Sequence, residues 1–331
     1  MKAAILQGVN ELALDEVGRP TPGQGEALIR LRAAALNHRD VWIKSGQYAG
    51  LRFPIILGSD GAGTVVEVGH GVDGAWVDRD VIINPGFDWG HSEGAQEPRF
   101  TILGLPKDGT LAEFIHVPVG QLTAKPAHLS WEEAAALPLA GLTAYRALFS
   151  RAGLKAHEKV LITGIGAGTA LFALQFAEKI GAVPCVTSSS PAKIERARAL
   201  GARSGAVYAE AGWAAEFGRH HGPFDVVFDS AGGAGINDLL DLIIPGGRLV
   251  FCGATRGNPP DLAWRKLFWR QISLLGTTMG SPADFAAMTD FVLRHAIRPV
   301  ISEVFPLDRV ADAFACLEKG RQFGKVVVRM A

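Results

Sequence analysis

The chain has 331 residues, 48% of them hydrophobic and 20% charged, which makes it long enough for two domains and ordinary for a globular protein. Thirty-three basic residues balance 33 acidic ones, and no basic–aromatic motif appears, so neither nucleic acid nor an anionic membrane is an expected partner. No apolar run nears the roughly 18 residues of a bilayer span, Met1–Leu6 is too short for a signal peptide, and three scattered cysteines (Cys185, Cys252, Cys316) suit reduced thiols in the cytoplasm.

Glycine is the outlier, at 40 of 331 residues, about 12% against an average near 7%. That excess points to a loop-rich α/β protein. In chain order, the stretch to about residue 125 reads as short strands between turns: Ala27 to Leu31, Gly63 to Gly69 and Asp80 to Asn84. Residues 84–110 are polar, punctuated by Gly and Pro, and carry Phe87, Trp89 and Phe100; a long loop is expected, with Phe87 and Trp89 excluding water.

The rhythm changes after Pro126. Strands at Lys159 to Thr163, Val183 to Thr187, Phe224 to Phe228, Arg248 to Cys252 and Ile272 to Gly276 alternate with helices at Ala170 to Ile180 and Pro191 to Gly201. That alternation predicts an α/β, doubly wound parallel sheet. Beyond about residue 281 the sheet pattern ends, leaving helices at Ala283 to Arg294 and Val310 to Lys319 and the strand Lys325 to Val328. These are too few for a domain. The expected organisation is therefore a discontinuous β-rich domain of residues 1–125 and 282–331 around a parallel-sheet domain of residues 126–281.

The strand ending at Thr163 runs into Gly164, Ile165, Gly166, Ala167, Gly168, Thr169 and Ala170, where a helix opens. A glycine turn in this context lets the backbone approach a pyrophosphate at the helix N-terminus. Thr169 at the third glycine position makes the fingerprint imperfect. About 20 residues on, an NAD site carries an acid for the ribose 2′-hydroxyl. Here Ser188, Ser189 and Ser190 stand instead. Ser190 reads as a helix cap. Ser188 and Ser189, with Lys193, suit a 2′-phosphate, so the cofactor expected is NADP(H).

Across nearly its whole length the chain resembles the medium-chain dehydrogenase/reductase family. The segments that carry the likeness are Leu36 to Asp40, Leu57 to Gly63, Leu137 to Thr143, the glycine turn, Asp225 to Gly233 and Gly324 to Val327. The family's zinc ligands are replaced: Asn37 stands for a cysteine, Ser59 for the histidine of the G-H-E motif, and the third ligand falls near Leu139. Residues 84–110 hold no cysteine for a structural zinc, and His91 with Glu93 or Glu97 reads as solvated. No metal is expected. The resemblance is to the zinc-lacking, quinone-oxidoreductase-like branch, which implies a GroES-like catalytic domain and a Rossmann-like cofactor domain.

It further implies Thr143 at the nicotinamide half of the cofactor, His38 towards the pyrophosphate, and Tyr208 and Lys193 towards the adenosine phosphate. Ser230, Gly253, Ala254, Thr255, Thr277 and Met279 would line the nicotinamide, and Lys325 would reach the cofactor from the returning segment. Asn37, Trp42 and Tyr48 would face the substrate, a quinone, enone or enal, with Asn37 and Tyr48 hydrogen-bonding its carbonyl oxygen; Trp42 suits the core equally well. A homodimer through the edge strand Ile272 to Gly276 is expected. Two other functions stay open: a zinc-type alcohol dehydrogenase, and an NADPH-binding protein without turnover.

Overall fold

The computed structural model describes residues 1–330, and the chain forms two compact units. The first holds Met1–Ala140 and the chain from Ser281 onward; the second is Gly141–Gly280. In chain order the first unit begins with β1 (Lys2–Leu6), β2 (Leu12–Glu16), β3 (Glu26–Ala35), α1 (His38–Lys44), β4 (Ile55–Ile56), β5 (Asp60–Val68) and β6 (Asp80–Ile83). The hairpin β7 (Gly86–Phe87) and β8 (Thr101–Ile102) follows, then β9 (Phe114–Pro118), β10 (Leu122–Ala124) and α2 (Trp131–Ala136), and α3 (Pro138–Tyr145) spans the boundary at residue 140. α2 starts at a capping box in which Ser130 and Glu133 each bond the other's backbone N–H. It packs on β3 and β5, which is why the first boundary lies at 140 rather than near 125.

The second unit runs β11 (Lys159–Ile162), α4 (Gly168–Lys179), β12 (Val183–Ser188), α5 (Pro191–Ala199), β13 (Ser204–Val207) and α6 (Trp213–His221). It continues with β14 (Phe224–Asp229), α7 (Ile236–Asp241), β15 (Ile243–Phe251), α8 (Trp264–Trp269) and β16 (Ser273–Gly276). All six strands are parallel, in the order β13-β12-β11-β14-β15-β16. This is the doubly wound Rossmann arrangement, with the switch point between β11 and β14. β14 is buried at every position but Asp225, as a strand covered on both faces must be. Its Phe224 and Val227 join Phe217 and Leu249 in the unit's core, each such burial stabilising by roughly 1.5–3 kcal/mol.

The chain then returns as α9 (Pro282–Arg294), β17 (Ile301–Pro306), α10 (Val310–Glu318) and β18 (Lys325–Arg329). The sheet pattern does not end at residue 281: β17 pairs parallel with β18. Its half-exposed Ile-Ser-Glu-Val-Phe-Pro lacks the apolar run that marks the other strands. The first unit's large sheet runs β10-β6-β5-β3-β18-β17, with β9 also on β3. β3 is the hinge of this architecture. One of its edges pairs with β5 throughout, and the other is shared between β9 on its first half and β18 on its last three residues.

The segment 84–110 is a long loop, as expected, crossed by one short ladder. The β7–β8 ladder orders it, Phe87 is buried in the unit's core, and Trp89 is buried edge-to-face against Phe100 at 5.2 Å. Phe87 thus packs into the unit's core, and Trp89 packs against its own loop.

Candidate active site

In the second unit, Thr163 follows β11 and donates its hydroxyl to Asp229 Oδ1 at 2.5 Å. The other oxygen of Asp229 accepts the Gly232 N–H at 2.7 Å. Asp229 thus ties the ends of β11 and β14 together at the switch point. Gly164 and Gly166 have φ of 64° and 115°, backbone that a side chain resists. A Cβ on Gly166 would lie 2.9 Å from Lys193 Cδ, so Lys193 lies against the glycine turn. Burial, then the charge of Arg196, pull Lys193 below the usual lysine range. Ala167 caps α4 without any side-chain bond, which leaves the first-turn N–H groups of Gly168 and Thr169 to an anion.

Ser188 closes β12, buried, and its Oγ accepts the Ser190 N–H at 3.2 Å. Ser189 beside it is exposed. Tyr208 follows β13 and donates its backbone N–H to Ser188 O at 3.1 Å. Ser190 caps α5, its hydroxyl accepting the Lys193 N–H, with Pro191 at the first helical position.

On the other side of the switch point, Gly253 lies against Ser230, whose carbonyl oxygen would be 2.5 Å from a Cβ at 253. Ala254 and Thr255 are exposed beyond it. The Thr277 hydroxyl is buried with no partner among the described residues, and Met279 is buried with φ of 46°. Thr143 is buried on α3. An uncapped helix start, a cradle that a Cβ would fill and an orphaned buried hydroxyl all fit a dinucleotide. Desolvation and the charge of Asp229 push the Cys252 thiol up to about 12, so no thiolate nucleophile stands on this wall.

In the first unit the register builds a second polar centre. Val327 of β18 pairs with Ala35 of β3, and continuing that antiparallel ladder two residues sets Lys325 opposite Asn37. On the other edge of β3, Ala35 pairs with Asp60. Lys325 Nζ accordingly donates to Asn37 Oδ1 (2.6 Å) and Asp60 Oδ2 (3.0 Å), and Asn37 Nδ2 donates to the same carboxylate oxygen (2.9 Å). The remaining Asp60 oxygen accepts the Leu139 N–H at 2.8 Å. Asn37, Asp60 and Lys325 are all buried. An ammonium has three donors and an amide nitrogen two; the bonds above leave one N–H on each of Lys325 and Asn37.

Next to this centre, Arg39 Nη1 donates to Ser59 Oγ (2.7 Å) and Leu103 O (2.8 Å), and its guanidinium lies 5.2 Å from the Tyr48 ring. Asp40 is fully buried, accepts the Asn37 N–H at 2.8 Å, and keeps one oxygen without a partner. Burial pushes its carboxyl above the usual range, helped by Asp60 and opposed by Arg39, the Asn37 N–H and Lys325. His38 opens α1, exposed, with Trp42 edge-to-face at 6.4 Å.

Sequence reasoning placed Asn37 and Lys325 in the site but in separate roles, on substrate and cofactor; the structure joins them. It missed Asp60, Arg39 and Asp229 as partners, although all three stand inside segments that carry the family resemblance. Among the described residues no three His, Cys, Asp or Glu side chains gather as a metal site, and no helix is long and apolar enough to cross a membrane.

Known proteins align with both units. The alcohol dehydrogenase GroES-like domain matches residues 23–127, and a zinc-binding dehydrogenase model matches 200–328. A "zinc-type alcohol dehydrogenase-like protein YogA" from Leptosphaeria maculans is 36% identical, over 96% of this chain and 94% of that one. The chain belongs to the medium-chain dehydrogenase/reductase family. Membership makes it an oxidoreductase of a family that works with nicotinamide cofactors. The crotonyl-CoA reductase of Streptomyces collinus is 30% identical, over 95% of this chain and 80% of its own. A solved NAD-dependent alcohol dehydrogenase superposes over 100% of both chains with TM-score 0.94 and 37% identity.

Proposed function

We propose that this protein is an NADP(H)-dependent, zinc-independent reductase of a quinone or an α,β-unsaturated carbonyl. The observation that carries the reading is the buried Lys325–Asn37–Asp60 centre. At the family's ligand positions stand an amide bonded to an ammonium, a serine bonded to a guanidinium, and a leucine, whose side chain cannot coordinate a metal and whose backbone N–H donates to Asp60. Two cations beside those positions oppose a third charge of the same sign, and three protein ligands for zinc are missing. The NADP(H) reading is supported by Ser188 and Ser189 in place of an acid, with Lys193 against the glycine turn.

When bound, reduced nicotinamide supplies the hydride. The acceptor is the electrophile, the protein supplies hydrogen-bond donors to its oxygen, and the anion left by hydride addition takes its proton from solvent. The free N–H groups of Lys325 and Asn37 hydrogen-bond the acceptor's carbonyl oxygen and stabilise the negative charge that builds there as the conjugated C=C is reduced. Asp60 and Asp40 hold those donors in place. Tyr48, with its ring against Arg39, is a further donor to the same oxygen. Crotonyl-CoA, named for the Streptomyces relative, is an acceptor of this chemical kind.

The test is NADPH oxidation, with chelator present, against quinones, enones, enals and unsaturated thioesters. Turnover is expected for at least one class. The double variant Asp60→Asn/Lys325→Gln, which leaves no unpaired buried charge, should lower kcat by about ten- to a thousand-fold while the NADPH Kd holds. Oxidation of simple alcohols that a chelator abolishes would overturn the reading.

We also infer a homodimer along β16. That strand is a free sheet edge, and α8 just before it exposes Trp264, Phe268 and Trp269 by 69%, 62% and 81%. Pairing with a twin removes an uncovered edge and buries the aromatics. Light scattering at micromolar concentration should return twice the chain mass; a monomer sinks the inference. Three free thiols fit a reducing compartment, the cytoplasm.

A further inference from the structure

We propose that Arg256 is a specificity residue for the cofactor, the cation that reads the adenosine 2′-phosphate from the far side of the sheet. The inference rests on the NADP(H) reading above and adds a residue that the glycine fingerprint and the serines after β12 do not include.

The geometry starts from strand order. Arg256 follows β15 and Tyr208 follows β13, with β12, β11 and β14 between them. Four strand spacings separate the two, about 19 Å. Yet the Arg256 guanidinium lies 5.1 Å from the Tyr208 ring. The segment after β15 therefore reaches back over the C-terminal ends of the intervening strands, which carry Asp229, the glycine turn and Ser188. In an open parallel sheet this is the edge where a dinucleotide binds.

That reach is built in. Arg256 donates its backbone N–H to Ala231 O at 2.8 Å, and Gly233 donates to Gly257 O at 2.8 Å. Gly232 and Gly233 have φ of 67° and 80°. A Cβ on Gly232 would lie 2.9 Å from Gly257 O, and one on Gly233 would lie 2.9 Å from Arg256 O. The glycine pair after β14 lets the 254–257 backbone lie flat against it, and this fixes where Arg256 starts.

Arg256 is exposed, and among the described residues no carboxylate pairs with it. A guanidinium over a ring engages its face and keeps its in-plane N–H donors free, and those donors match phosphate oxygens in a bidentate fork. Tyr208 is anchored to Ser188 through its backbone N–H, so the fork is held beside the strand end that lacks the acid of an NAD site. The ligand chemistry is a nucleoside 2′-phosphate dianion.

The experiment measures Kd for NADPH, NADH, 2′,5′-ADP and 5′-AMP by titration calorimetry on the full chain, with Arg256→Gln and Arg256→Lys beside the parent. Arg256 is exposed, so both variants should fold. Arg256→Gln should weaken NADPH and 2′,5′-ADP by about ten-fold or more, the scale of a lost charge-assisted bond, and leave NADH and 5′-AMP within about two-fold. Arg256→Lys should recover part of the loss. A parent that prefers NADPH, with that preference intact in Arg256→Gln, overturns this proposal and leaves the NADP(H) reading standing. Equal loss of NADPH and NADH overturns it too, as the arginine then serves the loop or the adenine. A parent that binds both cofactors alike overturns both readings together.

Discussion

The buried centre of the first unit and the nucleotide edge of the second are both polar, and they treat charge in opposite ways. Around Asn37, Asp60 and Lys325 the charges are bonded within the protein, with one N–H left on each of Lys325 and Asn37, and the ion pair lies where relative exposure is 4% and 0% at its two side chains. At the nucleotide edge Arg256 and Ser189 are exposed, and α4 starts without a side-chain cap. A closed network contributes rigidity and a fixed geometry. An open one stores binding capacity, because its donors are satisfied only when a ligand arrives. In the first unit the polar side chains satisfy one another, with Lys325 Nζ bonded to Asn37 and Asp60; at the edge of the second, Arg256 stays open to solvent.

Breaking the closed network should have the larger effect. Lys325→Met leaves Asp60 buried and uncompensated and is expected to cost about 3–5 kcal/mol, read by chemical denaturation. Adding Asp60→Asn to it removes the stranded charge and should recover more than half of that cost. A single-variant loss below about 1 kcal/mol would show that the pair behaves as a solvated one, and the contrast between the two regions would collapse. At the open edge the balance should reverse. Gly166→Ala forces a side chain into φ of 115° against Lys193, a strain of about 1–3 kcal/mol, and it also intrudes where a pyrophosphate would approach. Its stability loss should be the smaller of the two while NADPH affinity falls further than the fold does, which paired melting and titration measurements can separate. If Gly166→Ala lost stability but bound NADPH like the parent, the glycine would serve packing alone.

Much of this was legible in residues read one segment at a time. The glycine turn stands after a strand and before a helix, as its backbone chemistry requires. β11, β12, β14 and β16 are apolar runs with clear ends, and the Ser190–Pro191 start of α5 is present. β17 was illegible because an edge strand with two exposed positions in its middle carries no apolar pattern. The partners of the 84–110 aromatics were illegible for a related reason: a Phe or Trp has the same letter whether it joins the core, as Phe87 does, or packs on its own loop, as Trp89 does.

Residue order alone fixed the residue types at the site: Asn37 and Ser59 in the first unit, serines instead of an acid at the end of β12, and the glycines that bend the backbone. Spacing along the chain carries that information because strand, turn and helix are local. Which of those residues meet was set by the packed fold. Lys325 meets Asn37 across 288 residues of chain, because β18 takes over the edge of β3 that β9 leaves, and Arg256 meets Tyr208 because two left-handed glycines allow one loop to lie against another. Both meetings depend on strand register and on close approach between distant backbones, and the chain's order of residues encodes those only through the whole packed fold.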